Sequence, residues 1–227
     1  MDAVAAEGFA GIKPAMLEYF MGIAFNNDRE YFLATRTDYE ENVKRPLYAL
    51  AEALLPAALE IDADFEQRPA RIVSRIRRDT RFTKDKSPYR DHMWLSFYPV
   101  GKAKSECFGL YYSISVTESC YGAGFYESDP ARAKWMRETM LRRQDDFLDV
   151  LTQPDFARHY RVLGEDYKRM EIPEKLHPAL YELYRKKNFY VEHTDGVGPK
   201  IERPEYAQEI ADGLRLLGPL YQLMMSE

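Results

Sequence analysis

Apolar residues recur at helical spacing over the first sixty positions, and the pattern then switches to alternation. Met16, Leu17, Phe20, Ile23 and Ala24 share one face behind Pro14, which suits the first turn of a helix. Asn27 is read as the next N-cap, with Asp28 at the helix start and Glu30 three residues beyond Asn27, as in a capping box. That helix continues through Phe32, Thr35, Tyr39 and Val43 until Pro46 ends or kinks it. A further helix over 47–59 carries Leu50, Ala51, Leu54 and Ala58 on one side.

From position 71 the period is two. Ile72, Ser74 and Ile76 alternate with Arg71, Val73, Arg75 and Arg77, predicting a strand with one modestly apolar face and one arginine-rich face. Met93, Leu95 and Phe97 alternate with His92, Trp94, Ser96 and Tyr98. Phe108, Leu110, Tyr112, Ile114 and Val116 form the clearest apolar face, and 120–126 returns as their partner after a turn at Thr117-Glu118-Ser119. Asp129-Pro130 reads as N-cap and first helical residue of a helix carrying Met136, Met140, Phe147 and Leu151. Short helices over 155–160 and 173–184 follow, then a strand over 188–194 ending at Asp195-Gly196. A closing helix spans 204–224, with Gly213, Gly218 and Pro219 as candidate interruptions. Helices, then antiparallel strands, then helices define an α+β fold. Its central antiparallel sheet has strands near 71–77, 92–98, 107–116, 120–126 and 188–194, flanked by N-terminal and C-terminal helices. With no repeat, low-complexity tract or linker, a single domain over 1–227 is expected.

Composition narrows the classes of function. A chain of 227 residues that is 45% hydrophobic has ample core material, and its seventeen tyrosines call for polar partners wherever they are buried. No apolar run approaches the roughly 20 residues that span a bilayer. The N-terminal residues lack a basic region followed by an apolar stretch. Cys107 and Cys120 lie on two arms of the same hairpin. With Cys120 opposite Val116 they are about 30 Å apart, too far for a disulfide. A reduced, cytoplasmic protein without membrane partners is expected. The four histidines are dispersed, with no HExxH or CxxC, so no metal is expected. Gly122-Ala123-Gly124 lacks the third glycine and the immediate helix of a dinucleotide fingerprint, and reads as strand glycines that admit a close neighbour. No GxSxG elbow is present, and no cofactor is implied.

Charge singles out one segment. Residues 71–90 hold eight basic and two acidic side chains, a net +6 inside a chain of net −5, which leaves −11 elsewhere. Arginine is always charged and offers a planar fork of donors to phosphate or carboxylate. Crowding arginines costs energy unless anions intervene. The candidate anion-binding residues are Arg75, Arg77, Arg78, Arg81, Lys84, Lys86 and Arg90. Tyr89 follows the extended Ser87-Pro88 pair, and Phe82 is expected to anchor the loop. Three readings fit: a structural loop tied by internal carboxylates, a site for a small phosphorylated or carboxylated ligand, or a nucleic-acid surface with Tyr89, Phe82 and Trp94 as stacking rings. The acidic remainder of the chain opposes a long polyanion. Were the protein an enzyme, Asp79, or else His92, is the candidate proton-transfer group. Oligomeric state is not legible.

RDTRFTKDKSPYR, residues 78–90, closely resembles the signature of a family of unknown function found in bacteria and fungi, domain-of-unknown-function family 2461. The Asn26-Asn27 doublet ahead of an aromatic pair and the Gly122-Ala123-Gly124 segment agree with it. Tyr31 stands where the family usually has tryptophan. The resemblance covers roughly residues 8–223 and carries no activity with it. It implies that Asn27, the basic loop, Gly122 and Gly124 belong to one recurring design, and their shared polarity and close-approach chemistry lead us to expect that they converge on one cleft that binds an anionic ligand.

Overall fold

The computed structural model describes residues 8–81, 83–125 and 129–226. The anchoring expected of Phe82, and Tyr126 at the end of the returning strand, fall outside these residues. Five strands, β1 (Met93–Phe97), β2 (Phe108–Ile114), β3 (Glu118–Phe125), β4 (Arg161–Leu163) and β5 (Tyr190–Gly196), form an antiparallel sheet in the order β1-β2-β3-β5-β4. With helices before and after the sheet, the fold is α+β.

The alternation of the strands decides which face is covered. Leu95, Tyr112, Tyr121 and His193 stand in one cross-strand row, and Phe97, Leu110, Ala123 and Val191 in the next. Most of these side chains are fully buried. The helices Arg45–Ile61, Tyr206–Leu216 and Gly218–Met225 pack beside this face. Leu47, Leu50, Ala51, Leu54 and Ala58 supply the buried stripe of the first of them, at the expected 3.6-residue spacing. Pro14 opens the helix Pro14–Phe25, and Asp129 caps Pro130–Arg142 by accepting from Ala131 N at 2.8 Å.

Several local expectations are corrected. Residues 71–77 are not a regular strand: Pro69 seeds a helical turn, Pro69–Ile72, and 73–77 run extended with only isolated bridges, Val73 to Leu95 and Arg77 to Tyr89. Ile72, Val73 and Ile76 are all buried, which breaks the strict alternation, while Arg71, Arg75 and Arg77 stay exposed. The helix Arg29–Ala34 is capped by Asp28, whose carboxylate accepts from Tyr31 N at 2.8 Å, because the amide of Asn27 is engaged elsewhere. Pro46 does not end its helix; the turn before it widens to a π-helix, Tyr39–Lys44, and the helix runs on to Ile61. Cys120 faces Ser113 rather than Val116, and both cysteines are free and buried. The helix after Asp129 breaks at Arg143, and 173–184 holds only the short Pro178–Leu180 and Tyr181–Tyr184 turns. Strand β4, three residues long, is too short to show a period, and Asp195-Gly196 ends β5 from within.

Candidate functional site

The outer edge of β1 organises the basic segment. Val73 bridges Leu95, Ser74 N donates to Trp94 O at 2.8 Å, and Trp94 N donates to Ser74 Oγ at 3.0 Å. The chain then pairs with its own return: Arg78 N donates to Pro88 O at 2.9 Å and Arg90 N to Ile76 O at 2.8 Å. Residues 79–87 are therefore the tip of a hairpin-like excursion. Its base is locked by Tyr89, which is buried and stacks on Phe32 with ring centroids 4.4 Å apart. Asn27 closes both backbone groups of Tyr89: its Nδ2 donates to Tyr89 O at 3.0 Å and its Oδ1 accepts from Tyr89 N at 2.9 Å. Asn27 and the loop thus meet, through a structural link.

Between 66–79 and β1 with its following turn lies a cleft of about 630 Å³. Arg71, Arg75 and Arg77 line it, exposed, and among the described residues none of the three forms an ion pair. Arg90 also lines it but acts as a strut. Its guanidinium donates to Arg75 O at 2.9 Å and Arg77 O at 2.7 Å and lies 4.8 Å from the centre of the Trp94 ring. Across the cleft, Lys104 sits 5.1 Å from the Tyr98 ring centre, and desolvation lowers its pKa. Lys102 joins it, and Arg68 enters already paired with Glu66 at 2.5 Å.

The remaining expected cations point elsewhere. Arg78 is paired with Asp85, and Arg81 holds Asp79 through both carboxylate oxygens, the shorter contact at 2.6 Å. Lys86 donates to Thr80 O at 2.8 Å, and Lys84 is exposed. None of these four lines the cleft. Asp79 does, but the hydrogen bonds from Arg81 hold its pKa down at about 2. His92 approaches Asp91 Oδ1 at 2.9 Å and stacks on Trp94, and it does not line the cleft.

The uncovered face of the sheet forms a second hollow, a trough of about 470 Å³ that shares Trp94, Ser96 and Tyr98 with the cleft. One row of this face runs Ser96, Tyr111, Gly122, Glu192, and another Trp94, Ser113, Cys120, Thr194. Gly122 and Gly124 serve close packing: a Cβ on Gly122 would lie 1.9 Å from Val191 O, and one on Gly124 2.4 Å from Tyr190 Cβ. With no side chain on Gly122, Tyr111 reaches over β3 and donates to Glu192 Oε2 at 2.8 Å. Thr194 Oγ1 donates to the other carboxylate oxygen at 3.2 Å. Burial, and then the charge of Glu192, keep the Tyr111 phenol and the Cys120 thiol protonated. Cys120 is accordingly a poor nucleophile.

Lys102, Lys104, Tyr98, Tyr111 and Glu192 escaped the sequence reading. The two lysines follow β1 two residues apart, a legible signal that adjoins the site only once the turn folds back. Glu192 meets Tyr111 through the register of three strands, which no local pattern carries. Among the described residues no three His, Cys, Asp or Glu side chains are grouped as metal ligands, and no helix is long and apolar enough to cross a membrane.

Fold and site together describe an α+β protein whose sheet is helix-covered on one face and bordered by a cationic cleft on the other side of β1. The chain belongs to the family described as conserved hypothetical protein (DUF2461), whose family model matches residues 15–223. No curated protein matches it.

Proposed function

We propose that this protein binds a small phosphorylated or carboxylated ligand in the cleft beside β1. The observation that carries the reading is the trio Arg71, Arg75 and Arg77, which line one cavity without a carboxylate partner among the described residues. Three guanidinium groups held on one wall repel each other, and an anion that bridges their planar forks relieves the repulsion. The backbone beneath them is fixed by Arg90, so the site is preorganised and little ordering cost falls on binding. The cleft supports binding better than proton transfer, since Asp79 is held as a carboxylate far below neutral pH and already accepts from Arg81. The net charge of −5 argues for a compact ligand over a long polyanion. The two free cysteines fit a reducing compartment, and we place the protein in the cytoplasm on that ground.

Thermal unfolding with inorganic phosphate, pyrophosphate, citrate or a short oligonucleotide, at low and moderate salt, tests this. A ligand at 100 times its Kd stabilises by about 2.7 kcal/mol. The expected result is a rise in Tm with a small anion that persists at moderate salt, and loss of that rise in Arg75→Ala/Arg77→Ala with its own Tm little changed. No response to any small anion, or an undiminished response in the double variant, overturns the reading. A response to the oligonucleotide alone, falling steeply with salt, replaces it with nucleic-acid binding.

A further inference from the structure

The geometry points to a nucleoside phosphate as the ligand, its phosphate in the arginine cleft and its base in the adjoining trough; this rests on the anion-binding reading above. The two hollows adjoin, with Trp94, Ser96 and Tyr98 bordering both. One end is cationic. The other is lined by the aromatic rings of Trp94, Tyr98, Tyr111 and Tyr190, beside Ser113, Cys120 and Gly124. Such rings suit a planar heterocycle, whose π-face stacks on aromatic side chains.

Polarity along the groove runs in the same sense. Glu192 lies in the trough, half-buried, with one oxygen held by Tyr111 and the other by Thr194. Each carboxylate oxygen accepts more than one hydrogen bond, so this fixed carboxylate retains capacity for an N–H donor. An anionic group is repelled from it, while the amino edge of a base is matched by it. The ligand is thereby oriented, phosphate toward Arg75 and Arg77, amino edge toward Glu192. Four strand spacings of about 4.8 Å separate the 73–77 segment from β5, and the long arginine and glutamate side chains shorten that span from both ends toward the length of a nucleoside monophosphate.

Calorimetric titration with inorganic phosphate, ribose 5-phosphate and adenosine monophosphate separates the two readings. Trp94 and Trp135 are the two tryptophans of the chain, so Trp135→Phe leaves the emission of Trp94 as a second readout at the junction of the hollows. Adenosine monophosphate is expected to bind at least about 10-fold more tightly than ribose 5-phosphate and to change Trp94 emission. Glu192→Gln, which keeps an acceptor for Tyr111, is expected to remove most of that advantage and leave ribose 5-phosphate affinity unchanged. Equal affinities for the two compounds without a Trp94 response overturn the base site while phosphate binding stands. An advantage that survives Glu192→Gln overturns the placement of the base. Failure of all three compounds to bind overturns the nucleotide reading, and the anion-binding reading falls with it when citrate also gives no rise in Tm.

Discussion

Asn27 illustrates how one side chain holds a distant segment in place. A primary amide carries a donor and an acceptor side by side, and here both are spent on the backbone of Tyr89, sixty-two residues away. Asn27→Ala is expected to cost about 2 kcal/mol, two net hydrogen bonds, measured by urea unfolding, and to raise protease sensitivity within 79–87. The carboxylates of the loop make a pH prediction. Asp79 and Asp85 ordinarily titrate at 3.8 and Glu66 at 4.5, and all three are lowered to about 2, Asp79 and Glu66 chiefly by Arg81 and Arg68 and Asp85 chiefly by Ser87. Lowered carboxylates contribute stability that is whole above the unfolded values and is lost as pH falls toward 2. Loop proteolysis by an acid-active protease is therefore expected to accelerate below about pH 4, with little change between pH 5 and 7. The charge cluster was legible in the sequence; its sorting was not. Arg77 and Arg78 are neighbours, yet one lines the cleft and the other pairs with Asp85, because the loop's return path decides which carboxylate arrives.

At the level of elements, the excursion 79–87 and the extended segment 73–77 separate into different roles. The loop satisfies most of its own charges, whereas the cleft draws on residues before it and after β1. The triple substitution Arg81→Ala/Lys84→Ala/Lys86→Ala is expected to leave the phosphate-induced rise in Tm within about a third of the wild-type value, in contrast to Arg75→Ala/Arg77→Ala. A loss equal to that of the double variant would relocate the site to the loop. Elements were readable where one face is buried and the other is not. Leu95 and Phe97, or Leu110, Tyr112 and Ile114, alternate cleanly because helices cover only their side of the sheet. Residues 71–77 misled because Pro69 starts a helical turn and the partner strand is met at single bridges. Asn27 misled because its tertiary bond to Tyr89 outweighs a local cap that Asp28 supplies instead.

Across the whole molecule, the cleft segment has a second consequence. It is the same stretch of backbone that covers the outer edge of β1, with Ser74 supplying both a main-chain and a side-chain partner to Trp94. An uncovered strand edge is a template for pairing with another chain, and β4 at the far edge is only three residues long. On the proposed anion binding, solubility and occupancy are linked through 73–77. Whatever loosens that segment bares the longer edge of the sheet, and whatever clamps Arg75 and Arg77 keeps it shut. Heated or stored without an anion, the protein is expected to aggregate faster by light scattering than in phosphate at matched ionic strength. In Arg75→Ala/Arg77→Ala the two buffers are expected to perform alike. On the anion-binding reading, choosing a storage buffer is already a binding experiment.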